Sequence, residues 1–467
     1  MLLTLTLALA CSEKPGGDDS VAPTTSAPGE TDEPGETGAP ADTSDETGAP
    51  TAGPVLSFEA PPRNLLIIAL DTTRRDAIGR WSGDPEATPT LDALMSESVV
   101  LADHRSCSNW TWDSVLCVQT GRNPWELGFP YVDESGIALS SIPSDVTLMS
   151  SVMSAAGYQT GLASAQSFMS IENRMSQGFD DTWYDLDAPA AALTDGALAL
   201  LEDFDAGAPW YLHLHYMDPH ELYIPPESYL GGLEALDPID YDLTSRSEYE
   251  ELRNGAISTM SDAERELVLA HLRVRYAAEL RYFDDQLSRL IDAMDAGGWL
   301  DDTLVVFWTD HGEQIWQHGY STHGGSLYDE ETRSTASFWA RGLTPSEWTS
   351  PTTHIDLWPT IAEAMSVPDA PEFTGVPLGE RGADAAIFSL RYRGPKTFHS
   401  VVRDQKKLFY NWNGSKEYYD LAADPGELTD AYDSTAADII ALWELLLPQV
   451  EAVSEAMAGA APVEPGP

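Results

Sequence analysis

The sequence predicts an α/β fold: a large, mostly parallel sheet flanked by helices, with a smaller C-terminal antiparallel α+β subdomain. Three observations point there. Two short apolar runs, Asn64 to Leu70 and Leu304 to Trp308, each lead within two positions to an acidic residue. Strands buried on both faces do this where they reach the rim of a parallel sheet. Strand-like and helix-like segments alternate after residue 62. From about residue 376 the pattern changes to short strand-like runs followed by one helix.

Taken in order, residues 1–11 (MLLTLTLALAC) form an apolar run too short to span a bilayer. Small residues before Cys11 give it the look of a signal peptide with a lipobox-like cysteine. Residues 12–62 are dominated by Gly, Pro, Thr, Ser and acidic side chains, with almost nothing large and apolar before Val55. Such a segment buries too little surface to offset its ordering entropy, so a disordered tether is expected. Together they predict an exported lipoprotein, held at a membrane by a lipid on Cys11 and facing the periplasm or cell exterior. In that setting Cys107 and Cys117 are free to pair.

Asn64 to Leu70 (NLLIIAL) is the first strand and delivers Asp71 at its end. Gly157 to Ala163 reads as a further strand. Pro209 to Met217 (PWYLHLHYM) is another, stopping at Asp218 and Pro219 and leaving His220 just beyond. Ser261 with Glu264 three residues later is a capping box that opens a helix. Within it Leu280, Phe283, Leu287, Leu290 and Met294 keep helical spacing, as core residues do, and Gly297 with Gly298 ends it. Leu304 to Trp308 is the second buried strand, leading to Asp310 and His311. In the last part, Ala385 to Leu390, Phe398 to Arg403 and Lys407 to Trp412 predict three strands, and Ala436 to Met457 a helix.

The chain carries 76 acidic against 25 basic residues, a formal charge of −51. That field repels polyanions, which excludes nucleic acid as a partner, and it means an anionic substrate needs strong local positive charge to be held. Asp71, Asp310 and His311 emerge where open α/β sheets place ligands. Hard carboxylate oxygens with one imidazole suit a single divalent cation: calcium, magnesium, manganese or zinc.

Nine strings lie in order along the chain: LDTTRRDAIG (70–79), TPTLDAL (88–94), SNWTWDSVLCVQTGR (108–122), QGFD (177–180), HYMDPHELYIPP (215–226), Glu279 and Asp284 in YAAELRYFDDQL, TDHGEQIWQHGYSTHGGSLYDEETR (309–333), HIDLWPTIAEAM (354–365) and YYDLAADPGELTD (418–430). On these the chain resembles the sulfatase family, within the wider alkaline phosphatase superfamily. The resemblance implies a catalytic domain over residues 63–375 and a C-terminal subdomain over 376–467. It implies that Asp71, Asp310 and His311 hold the cation together with Thr111, which falls at the nucleophile position. His220 and His323 fall where relatives contact the transferred anion or protonate the leaving group, and His318 is expected to line the same cleft. Chemically the set is coherent: a cation neutralises developing charge, and imidazoles act as acids or donors near neutral pH.

The departures carry information too. Sulfatases usually place a Cys or Ser at the nucleophile position, followed by Pro and Arg, and convert it to formylglycine. Here the run is Thr111, Trp112, Asp113, Ser114, Val115, and neither Cys107 nor Cys117 has that context, so no formylglycine is expected. Val115 stands where Arg or His would steady the loop, and Asp113 adds negative charge. The Lys that often follows the Gly-Tyr-x-Thr strand is missing from Leu162 to Gln166. Arg74, Arg75 and Arg122 are candidate substitutes, with Arg122 the one expected to support the loop and the bound anion.

A threonine cannot form the aldehyde hydrate that expels sulfate, whereas a phosphothreonine is open to water, so phosphoester chemistry is favoured if Thr111 attacks. The expected function is therefore metal-dependent hydrolysis of a sulfate or phosphate ester, carried by a small molecule or a glycan. Two alternatives remain: a catalytically silent anion-binding lipoprotein, and a head-group phosphotransferase, although relatives of the latter kind usually carry several membrane helices.

Overall fold

Strand β1 (Asn64–Leu70) is buried along its whole length, and its two sets of alternating side chains enter different cores. Leu66, Ile68 and Leu70 pack with Phe283, Leu287 and Leu290, while Leu65, Ile67 and Ala69 pack with Leu116, Trp358 and Ile361. A strand covered on both faces has no polar face to alternate with, hence the unbroken apolar run in the sequence. The computed structural model describes residues 55–58, 60–127, 142–143, 145–170, 174–392 and 397–459. The expected signal run, Cys11 and nearly all of the 12–62 tether lie outside them.

The other strands of the main sheet are β2 (Val99–Leu101), β3 (Gln159–Ser164), β4 (Asp181–Tyr184), β5 (Trp210–Tyr216), β6 (Thr303–Thr309), β7 (Ala336–Trp339) and β8 (Ser346–Trp348). Their order across the sheet is β8-β2-β7-β6-β1-β5-β3-β4. Every pairing is parallel except the two made by β7. The expected strands at 157–163, 209–217 and 304–308 are thus present as β3, β5 and β6, shifted by one or two residues at their ends. Four neighbouring parallel strands, β6, β1, β5 and β3, end at the same rim.

Helix α1 (Thr111–Thr120) lies against one face of the sheet, together with α4 (Leu357–Ala364). On the other face lie α2 (Ala190–Asp203) and the 35-residue α3 (Asp262–Ala296). Helix α3 opens on the predicted box, with Ser261 Oγ accepting from Glu264 N and the Glu264 carboxylate accepting from Ser261 N. No helix of the described residues is long and apolar enough to cross a membrane.

The C-terminal sheet is antiparallel and has four strands: β9 (Ile387–Arg391), β10 (Phe398–Arg403), β11 (Lys406–Tyr410) and β12 (Lys416–Asp420). Helix α5 (Ala437–Gly459) covers it through Ile439, Leu442 and Leu446. The strand β12 goes beyond the three expected from sequence. Its KEYYD run is short and mostly polar, as edge strands are.

Candidate active site

Each strand of the central four brings at least one polar side chain to the rim. Asp71 follows β1, Asp310 and His311 follow β6, His215 is the last residue but one of β5, and Gln166 comes two residues after β3. The register aligns them, since Ala69 pairs with His215 and His215 with Ser164. One ligand atom from each of Asp71, His215 and Asp310 lies within 4.8 Å of the others. His215 Nε2 is 3.3 Å from Asp71 Oδ2, and Gln166 Nε2 donates to the same oxygen at 2.5 Å. Asp310 Oδ1 accepts from the backbone N–H of Thr72 and of His311, at 2.9 and 2.7 Å.

These groups fit a divalent cation. Asp71 and Asp310 are both fully buried, and their described hydrogen-bond partners are imidazole, amide, hydroxyl and backbone groups, none with a fixed positive charge. Asp71 Oδ1 and Asp310 Oδ2 accept no hydrogen bond among the described residues. Two desolvated carboxylates this close are costly without a counter-ion. The strain shows in Asp310, whose carboxyl is pushed well above its ordinary range by burial and then by the charge of Asp71.

Thr111 is the first residue of α1, preceded by Trp110 in extended conformation. Its Oγ1 lies 3.2 Å from His311 Nε2. His311 Nδ1 donates to Gly312 O at 2.9 Å, which leaves Nε2 free to accept the threonine proton or to meet a metal. Burial holds the His311 imidazole down to about 4, so it is neutral at neutral pH. The charge of Asp113 is directed back into the loop, where its Oδ2 accepts from Ser108 Oγ at 3.1 Å. Val115 is fully buried in the core on that face of the sheet.

Two devices fix this loop. Cys107 and Cys117 are joined by a disulfide that brackets Thr111. The buried Glu331 carboxylate accepts from Asn109 Nδ2 at 2.8 Å, from Gly324 N at 2.9 Å and from Ser326 Oγ at 2.5 Å. It thereby stitches the threonine loop to the loop that carries His323.

His323 stands at the centre of the histidines. Its ring centroid is 4.5 Å from that of His311, 5.2 Å from His220 and 5.3 Å from Trp110. Its Nδ1 is 3.4 Å from Glu313 Oε1. Burial, with His311 and His220 nearby, pushes the His323 imidazole well below its ordinary range. His220 turns its Nδ1 to Glu221 O at 2.7 Å.

Of the residues singled out in the sequence, Asp71, Thr111, Asp310, His311, His220 and His323 therefore come together. His318 is engaged elsewhere: its Nε2 is 3.3 Å from Glu330 and its ring stacks on Tyr328 at 3.7 Å. Arg122 lies beyond the far end of α1, about 16 Å of helix rise from Thr111, where its Nη2 donates to Glu126 O. It braces the turn there and is not brought to the threonine. Arg74 and Arg75 are buried supports, the first donating to Glu313 O and the second to Ala102 O and Ser334 O.

Sequence reasoning missed His215, Glu313 and Glu331 as parts of the site, and named Gln166 only as the end of a run that lacks a lysine. A signal for His215 was present. Two histidines in a strand otherwise buried on both faces are unusual unless something at the rim needs them.

Comparison with known proteins agrees with this architecture. The Sulfatase family profile matches residues 63–367. An arylsulfatase of Clostridium perfringens is 23% identical over 261 residues, covering 53% of this chain and 54% of that protein. The chain thus spans about half the length of that relative. Among solved structures, the complex of BT4656 with its substrate D-glucosamine-2-N,6-O-disulfate superposes with a TM-score of 0.69 at 19% identity, covering 85% of this chain and 98% of that one. A phosphonate monoester hydrolase of Agrobacterium radiobacter gives a TM-score of 0.63 at 17% identity, covering 86% and 96%. With the family profile matching most of the chain and the fold shared by both structures, the protein belongs to the sulfatase family.

Proposed function

We propose that this protein is a metal-dependent hydrolase of phosphate or sulfate monoesters in which Thr111 is the nucleophile. The observation that carries this reading is the position of Thr111: its hydroxyl stands at a helix N-terminus, 3.2 Å from an unprotonated imidazole nitrogen and beside two buried carboxylates. Asp71, Asp310, His311 and Thr111 would hold the cation, with His215 a fifth candidate within reach. A divalent ion there supplies positive charge for the transferred group and lowers the pKa of the threonine hydroxyl. The helix N-terminus adds backbone N–H groups for the same anion.

Thr111 Oγ1 attacks the phosphorus or sulfur, and the ester oxygen leaves on the opposite side. His220 and His323 serve as donors to the transferred anion and to that oxygen. Water then cleaves the threonine ester. Release is straightforward from phosphothreonine, which makes phosphate or phosphonate esters the favoured substrates. A small molecule or a glycan bearing one anionic group suits the strongly acidic chain better than a polyanion. The lipobox-like Cys11 and the 107–117 disulfide support an exported, lipid-anchored protein.

The test is hydrolysis of aryl phosphate, phosphonate and sulfate esters by a soluble form beginning near residue 55, with added metal. Thr111→Ala and Asp310→Ala should each lower metal-dependent turnover about a thousandfold or more. Unchanged turnover in either would remove that residue from its role. A second reading, a silent anion-binding protein, is favoured by Val115 standing where relatives carry Arg or His, by the negative charge of Asp113 and by the missing Lys. Tight phosphate binding without turnover on any ester or metal would bring it forward.

A further inference from the structure

We propose that a small pocket between the His323 segment and the C-terminal sheet binds a primary ammonium group carried by the alcohol part of the substrate, with Glu417 as its anion. The inference rests on the hydrolase reading above and names a substrate class for that site. Tyr320 and Tyr328 form one side of the pocket, and His318 braces that side by stacking on Tyr328 at 3.7 Å. Phe398 on β10, Phe409 on β11 and Glu417 on β12 form the other, with Asn411 just after β11. The lining residue Gly325 comes two positions after His323. Two residues span at most about 8 Å of chain, so one small molecule can reach both the histidine and the pocket.

Charge decides what enters. Glu417 Oε1 accepts from Asn411 Nδ2 at 2.8 Å, and Oε2 accepts from the hydroxyls of Tyr328 and Tyr419, each at 2.9 Å. All three donors are neutral, so they orient the carboxylate without cancelling its charge. The cations nearby serve other anions and rings. Lys407, 4.8 Å from the centre of the Phe409 ring, pairs with Asp329 and Glu427, and Lys416 lies over Trp443. Arg391 lies 5.3 Å from the centre of the Phe398 ring, and its charge bears on Glu331. With Lys407 and Arg391 against the two phenylalanines, an incoming cation is held by oxygen acceptors rather than by those rings.

Size narrows the class further. The cavity, about 20 Å³, has room for one group the size of a water molecule. That admits a primary ammonium and shuts out a trimethylammonium head. An ammonium donates up to three hydrogen bonds, and the Glu417 carboxylate with the Asn411 amide oxygen accepts them. The chain as a whole, at −51, repels an anionic ester. A substrate that brings its own cation offsets that repulsion.

The experiment measures kcat/KM of the metal-loaded full-length protein near pH 7 for a series of aminoalkyl phosphates whose chains lengthen from ethyl to hexyl. Each is compared with the alkyl phosphate in which a methyl group replaces the ammonium. At the chain length that spans the two sites, the amino ester should be preferred about 30-fold, the scale of a hydrogen bond between charged groups. Glu417→Gln should bring that ratio close to one, and N-trimethylated esters should show no preference over the alkyl series. A ratio near one at every length, or a preference that survives Glu417→Gln, would overturn the proposal while leaving the hydrolase reading intact. A wild-type protein inert on every ester overturns both. If Glu417→Gln does not fold, the wild-type protein decides: butylammonium chloride should raise KM for the preferred amino ester, and equal sodium chloride should not. Equal effects of the two salts contradict an ammonium site.

Discussion

A threonine hydroxyl is a weak nucleophile until its surroundings change it, and the role proposed for Thr111 draws on three features that stand around it. The imidazole of His311 faces it, two buried carboxylates define a cation position next to it, and a helix starts at it. His215 offers a test of the cation position. Its Nε2 meets Asp71 Oδ2, so His215→Ala should lower affinity for zinc or manganese about 10- to 100-fold, read as metal content after dialysis. Retention of full metal content would exclude His215 from the ion's surroundings. Asp71, Asp310 and His311 were legible in the sequence because each follows the end of an apolar run, where the chain passes from core to rim. His215 was not, because it lies inside the strand and its importance depends on which strands become neighbours. The same holds for Glu313 and Glu331, whose roles are set by contacts with residues brought together only by folding.

At the scale of elements, the loop that presents Thr111 is held by a short covalent ring. The disulfide spans ten residues, and closing a loop of that size corresponds to about 2–3 kcal/mol of stability. Replacing Cys107 and Cys117 by serine should lower the unfolding free energy by about that much in a denaturant titration. A change close to zero would show that the ring is dispensable. Strands β1, β5 and β6 and helix α3 were legible almost to the residue. Full burial gives β1 and β6 their apolar runs, and the capping box marks where the helix begins. Strand β12 was not, since a polar edge strand is specified by its pairing with β11 rather than by its own pattern.

Across the whole molecule, buried charge joins the parts. Lys407 on β11 is fully buried and reaches Asp329 at 2.8 Å and Glu427 at 2.9 Å, while Arg105, next to β2, pairs with the same Asp329. The C-terminal sheet is thus tied to the segment that follows the His323 loop. Lys407→Met leaves the buried Glu427 carboxylate without its cation and takes one of two cationic partners from Asp329, and it should destabilise the protein by about 3–5 kcal/mol, as measured by chemical denaturation. A loss below 1 kcal/mol, on the order of a surface pair, would show the network to be solvated.

Farther from the site, Glu279 on α3 is pushed up to about 9 by burial, then by the charge of Asp218 and their hydrogen bond. The unfolded chain releases that proton near the ordinary value of 4.5. Between those values the folded state binds more protons, so stability falls as pH rises from about 4.5 to 9. Glu279→Gln should flatten that decline, and an unchanged slope would assign it to other groups.

The claim on which the rest depends is that one cation sits at the ends of β1 and β6 in contact with Thr111. An anomalous-difference map from a crystal of the protein grown with manganese or zinc tests it most directly. The account predicts a single strong peak bounded by Asp71, Asp310 and His311, within bonding distance of Thr111 Oγ1. A map with no peak there, or with the ion held away from the threonine, would contradict it.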